Sequence, residues 1–162
     1  MRISMVIGMA CLIVGLGWNP VVGQAPKEKE APVSGTFKGN GQDAKLMFAT
    51  ALQGEPYLNK PTTVLILTEK DHSKEKMPKV KAYFGDFGSA LIITITNEGK
   101  IIGCEVAHSA HKKSGFSSIG EIKMSDFKMA DGKITGSLAT NGEVDTFKEK
   151  WEVKLKINVP TP

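Results

Sequence analysis

From Phe147 to Val159 the chain alternates. Phe147, Trp151, Val153, Leu155, Ile157 and Val159 stand at odd positions, with Lys148, Lys150, Glu152, Lys154, Lys156 and Asn158 between them. A period of two places one set of side chains in a core and the other in water, as a strand does and a helix does not. Glu149 alone interrupts the pattern, near the expected start of the strand, where its carboxylate can still reach solvent. Burying a large apolar side chain contributes about 1.5–3 kcal/mol, and ordering a residue costs about 1–2 kcal/mol. The segment therefore needs a sheet beside it and apolar residues opposite.

The preceding chain supplies such partners. Val33 to Lys38 reads as a short strand ending in the turn signal Gly39-Asn40-Gly41. Ala44 to Leu52 follows as its hairpin partner, with Leu46, Phe48 and Leu52 on one face. In Thr63–Thr68 the run Val64-Leu65-Ile66-Leu67 is apolar on both faces, as expected of a central strand. After a polar connection carrying His72, Pro78 opens one short helix near residues 78–84, with Val80, Tyr83, Phe84 and Phe87 at i, i+3, i+4 and i+7. Gly85 and Gly88 stop it early.

Beyond Ser89 strands and turns repeat. Ala90–Thr96 turns through Asn97-Glu98-Gly99 into Lys100–Ala107. Gly120–Lys128 and Lys133–Thr140 meet at Asp131-Gly132, a hairpin signal of type I′. Phe127 and Met129 are out of phase with Ile122 and Met124, which a bulge near Ser125-Asp126 would repair. The expectation is an all-β domain, a compact antiparallel β-barrel or β-sandwich of about eight strands with one short helix.

The N-terminus changes the picture of where this domain works. Arg2, the apolar run Met5–Trp18 and the small residues before Ala25 read as a secretory signal peptide of residues 1–23, cut after Gly23 or, less easily, after Ala25 before Pro26. Cys11 lacks the preceding Leu of a lipidation site. Residues 24–32 read as a disordered charged linker, and 33–160 as a single domain. The implied location is exported, periplasmic or secreted, with no transmembrane helix once the signal is removed. Export permits disulfides, yet Cys104 is the only cysteine left after cleavage, so stability must come from packing.

Charge excludes one class of partner. Lysine and arginine together number 21 against 17 acids, and Arg2 is the sole arginine. Lysine is a hydrated point charge without the planar fork that reads bases or phosphate bidentately, so no nucleic-acid partner is expected. The lysines of the last strand read as a solvated face.

Candidate chemistry concentrates after Ile101. Cys104, His108 and His111 are soft and borderline ligands suited to Cu or Zn, with His72 an alternative third ligand. Their spacing is unfavourable, since Cys104 and His108 are about 13 Å apart along an extended strand. The competing expectation makes Cys104 a small buried hydrophobe and both histidines solvated loop residues. No catalytic set is legible. Gly115-Phe116-Ser117-Ser118-Ile119 lacks the final glycine of a nucleophile elbow, and Asp86-Phe87-Gly88 lacks every other part of a kinase. The leading expectation is a binding or interaction module for a small apolar ligand or a protein partner. His108, His111, Lys112 and Phe116, in the long polar connection from His108 to Ser118, would form its binding rim. The small-ligand version requires a substantial apolar cavity.

Overall fold

The computed structural model describes residues 31–113 and 115–162. The expected signal peptide and most of the expected linker lie outside them. Eleven strands and one helix follow in order: β1 (Val33–Gly39), β2 (Gln42–Ala44), β3 (Phe48–Tyr57), β4 (Lys60–Thr68), α1 (Pro78–Tyr83), β5 (Ala90–Thr96), β6 (Ile101–Ala107), β7 (Phe116–Ser117), β8 (Ile122–Ala130), β9 (Lys133–Thr140), β10 (Val144–Thr146) and β11 (Glu149–Pro160). They form two antiparallel sheets in a sandwich-like arrangement. One runs β2-β1-β11-β9-β8 with β10 paired to β11, the other β3-β4-β5-β6-β7.

β11 is the inner strand of the first sheet, held by β1 on one side and β9 on the other. Its alternation meets the second sheet, so Trp151, Val153, Leu155, Ile157 and Val159 are buried against Leu65, Leu67, Leu91, Ile93 and Cys104. Lys150, Lys154 and Lys156 face outward and are exposed. Gly35 lets β1 approach this closely. Its φ is 123°, and a Cβ there would lie 2.1 Å from the Lys154 carbonyl oxygen, which no other residue type tolerates.

β4 is buried on both faces. Leu65 and Leu67 enter the core between the sheets, while Val64 and Ile66 join Ala82, Phe87, Ala90, Ile92 and Ala107 under α1. Both signals of the β8–β9 hairpin hold: the register slips between Ser125 and Lys128, and Asp131 and Gly132 both have positive φ.

Four expectations need correction. β1 pairs with the three-residue β2, and the chain then crosses at residues 45–47 to open the second sheet with β3. Ala44–Leu52 is therefore not one strand, and Leu52 packs under the helix, away from Leu46. The helix also turns a different face inward. Only Pro78 and Ala82 are buried within it, while Val80 and Phe84 are 49% and 61% exposed, because six residues are too few to carry a stripe across to Phe87. Alternation along Lys100–His108 places Ile102 on one face with Cys104, Val106 and His108, but in β6 the register step between Thr94 and Ile95 leaves Ile102 as the extra residue, so Ile101 takes the core position. Finally, Phe147 is not a core residue. It forms with Lys148 the two-residue turn from β10 to β11 and is 63% exposed.

Candidate functional site

Where β6 ends, the chain leaves the sheet and folds over one end of the sandwich. His108 turns in toward β1, its ring edge-on to Phe37 at 5.0 Å between centroids. It fits because Gly39 has no side chain; a Cβ there would stand 2.3 Å from the imidazole. His111 lies 5.3 Å from His108 and 5.4 Å from Phe116, and Phe116 lies 6.1 Å from Phe147. Five rings thus run in a row from the core to the surface: Phe37, His108, His111, Phe116, Phe147. All but the last are buried.

Asn40 and Glu149 hold this row in place. Asn40 donates from Nδ2 to Glu149 Oε2 at 2.7 Å and to the Ala110 carbonyl at 3.1 Å. Its Oδ1 accepts the Lys150 N–H at 2.9 Å. The other Glu149 oxygen accepts the Lys112 N–H at 3.1 Å. The expectation of a solvated Glu149 is thus overturned. The side chain is buried and stitches β11 to the loop above it. The Asn40 hydrogen bond, helped by the Lys112 and Lys113 N–H groups and by His111, holds its carboxyl below the usual carboxylate range against the opposing effect of burial.

Hydrogen bonds fix both imidazole tautomers. The Ala110 N–H donates to His108 Nδ1 at 3.1 Å, so the ring proton of His108 sits on Nε2. His111 Nε2–H donates to the Lys150 carbonyl at 3.0 Å, so its lone pair is on Nδ1. His108 Nε2 and His111 Nδ1 are buried without a hydrogen bond of good geometry. Burial first, and then His111, push the His108 pKa below its ordinary value, and Glu69, the Phe37 carbonyl and Asp43 oppose the shift only in part.

This arrangement fits a metal poorly. Coordination through His108 Nε2 would move its proton to Nδ1, against the Ala110 N–H. Cys104 is fully buried in the core, and burial pushes its thiol up to about 12, so it behaves as a small hydrophobe. His72 is placed elsewhere, beside Phe87 and within 2.6 Å of Thr68 Oγ1. Among the described residues no three His, Cys, Asp or Glu side chains converge. His108 and His111 are buried, not solvated loop residues; Cys104 and His72, the expected third ligands, lie apart from them, in the core and beside Thr68.

Two open clefts flank the loop. One, of about 650 Å³, is lined by Asn40, Lys112, Lys113, Phe147, Lys148 and Glu149. The other, of about 320 Å³, lies between Phe84 of the helix end and His108, His111, Lys112 and Lys113. Of the expected rim residues Lys112 is exposed, whereas His108, His111 and Phe116 are buried. Sequence reasoning missed Asn40, Glu149 and Phe147. For Glu149 a signal existed, as the single break in an otherwise regular alternation. Between the sheets lie buried side chains such as Phe37, Leu65, Leu91, Ile93 and Trp151. No helix among the described residues is long and apolar enough to cross a membrane. Comparison with family models, with curated proteins and with solved structures finds no match.

Proposed function

We propose that this chain is an exported interaction module that engages a protein partner at the end of the sandwich formed by residues 108–113, the Asn40 turn and the β10–β11 turn. One observation carries the reading. Phe147 and Lys148 occupy a turn with φ of 57° and 68°, where bulky L-residues cost about 1–2 kcal/mol each, and yet the ring they present is 63% exposed. Strain that buys no burial points to a contact outside the molecule. Leu58 shares the positive φ, at 50°, and the exposure, but Lys60 beside it is paired with Glu98, whereas Phe147 stands among lysines with no ion pair among the described residues. The basic clefts on either side offer the concavity that a partner needs. Export rests on the N-terminal pattern of Arg2 and the apolar run Met5–Trp18.

A photo-crosslinking residue placed at Phe147, with Leu58 as control, tests the contact in cells that make the protein. Leu58 is also an exposed apolar turn residue, 78% accessible, but sits at the opposite end. A discrete adduct from position 147 that Lys112→Glu/Lys113→Glu abolishes is the expected result; equal adducts from both positions, or none, would end the proposal. Export is read separately, by finding the exported chain beginning at Gln24. A Cu or Zn role would have to start from His111 Nδ1, the lone pair left unengaged. Stoichiometric uptake lost in His111→Ala would restore it.

A further inference from the structure

Three clefts on this molecule share their walls. The cleft of about 490 Å³ beside α1 is lined by Lys79, Val80, Tyr83, Phe84, Glu105 and Ser117. Phe84 also lines the 320 Å³ cleft, which in turn shares Lys112 and Lys113 with the 650 Å³ cleft beneath Phe147. They are therefore segments of one groove, running from the outer side of the helix across the end of the sandwich to the β10–β11 turn.

The chemistry along the groove is not uniform. At the helix end its apolar side chains are Val80 and Phe84, 49% and 61% exposed. Glu105 is neutralised there by Lys79 at 3.0 Å. At the other end it is cationic, with Phe147 as its single exposed ring. Lys112, Lys113 and Lys148 are exposed, and none of the three makes an ion pair among the described residues. Glu149 beside them is buried and committed to Asn40 and Lys112 N–H. Asp145, exposed at the same turn, accepts the Lys148 backbone N–H at 3.1 Å and pairs with none of the three ammonium groups among the described residues. Lys113 Nζ stands 5.4 Å from the Phe147 ring centre, so cation and ring face the same space.

We infer that this groove binds an extended, acidic peptide segment of a partner protein, its carboxylates on Lys112, Lys113 and Lys148 and its apolar side chains against Phe84 and Phe147. This rests on the reading of the sandwich end as the interaction site and names the class of partner. Length and continuity suit an extended chain rather than a compact molecule, and concavity suits a peptide rather than a flat bilayer, which would touch only the rims. The excess of unpaired ammonium groups sets the sign of the ligand, and the absence of guanidinium forks leaves carboxylates recognised as point charges.

The test is fluorescence anisotropy on the full chain with a fluorescein-labelled peptide in which glutamate alternates with leucine. Saturable binding that weakens with added salt is expected, reduced about tenfold or more by Lys112→Glu/Lys113→Glu and clearly by Phe147→Ser. Lys133→Glu, at the far end, leaves it unchanged. Lys112→Gln/Lys113→Gln serves if the charge reversal disturbs folding, which the Trp151 fluorescence reports. Equal binding of a lysine-leucine peptide overturns the inference. So does unchanged affinity in the charge-reversed protein, or binding to vesicles containing anionic lipid with none to the peptide. If the peptide fails while the Lys112-dependent adduct from position 147 still forms, the acidic-peptide inference falls alone and the interaction end stands.

Discussion

Two turns of this molecule share one backbone sign and almost nothing else. Asp131-Gly132 joins β8 to β9 with φ of 52° and 71°, and Phe147-Lys148 joins β10 to β11 with 57° and 68°. Both are two-residue connections with positive φ throughout, the geometry whose twist matches a hairpin. In the first, the residue types follow the backbone: Asp tolerates the left-handed region, and glycine enters it without penalty. In the second they oppose it. The difference separates a turn that only closes a hairpin from one that presents a side chain, and it locates where stability has been given up.

Exchanging the residues should show this most strongly. Asp131→Phe/Gly132→Lys places two bulky side chains in the left-handed region where nothing packs on them, and should lower stability by about 2–4 kcal/mol in urea denaturation. An unchanged midpoint would mean that such turns cost nothing here. The reverse exchange, Phe147→Asn/Lys148→Gly, should raise stability by a smaller amount, about 1–2 kcal/mol, because the contact of Phe147 with Phe116 is lost with the strain. The same variant should no longer bind the acidic peptide. If it is less stable than the parent, Phe147 is held by packing and the argument from strain is void.

The contrast also shows which physics a sequence displays. Alternation is local, so Trp151 to Val159, the Asp131-Gly132 turn and the bulge after Ser125 were legible without knowledge of any partner strand. Phe147 was misread for the same reason: it keeps the odd phase of β11, but the chain reverses at Lys148, and parity carries no information across a turn. Ala44 to Leu52 kept its apolar spacing while moving from one sheet to the other. The end of the sandwich was the least legible part. His108 is buried because Gly39 leaves room for it, and Glu149 because Asn40 reaches it from 109 positions away. Periodicity has no term for such pairings.

Acid should tell the two ends apart. His108 takes the Ala110 N–H on Nδ1, so protonation there sets donor against donor. His72 donates from Nδ1 to Thr68 Oγ1, whose own proton goes to the Lys70 carbonyl, so a charged His72 would bury an unpaired Nε2–H. Both pKa values lie below the ordinary 6.5, burial being the first cause in each. Between the folded and unfolded values the unfolded chain binds more protons, so stability is full above about 6.5 and falls with pH below it until the folded value is passed. Glu149, whose pKa is lowered from 4.5, adds a second loss only in the more acidic range below 4.5. Urea midpoints should decline on acidification from neutrality, and His72→Gln/His108→Gln should flatten the upper part of that decline. Amide exchange should quicken first around residues 108–112, with the Asp131 hairpin protected. A midpoint constant from pH 7 to the onset of Glu149 protonation would show that neither histidine is held neutral.

The smallest effect concerns what the strained turn has beside it. Lys113 Nζ over the Phe147 ring at 5.4 Å is an exposed cation–π contact, worth about 0.5–1 kcal/mol. Lys113→Gln should therefore cost at most that, far less than the exchange at Asp131-Gly132. The same substitution should weaken acidic-peptide binding most at low salt and progressively less as salt is added, since Lys113 then lacks the charge that a carboxylate would meet. A stability loss comparable to that of the turn exchange would make Lys113 part of what holds Phe147 in place, and the ring would be presented by its neighbour rather than by the backbone.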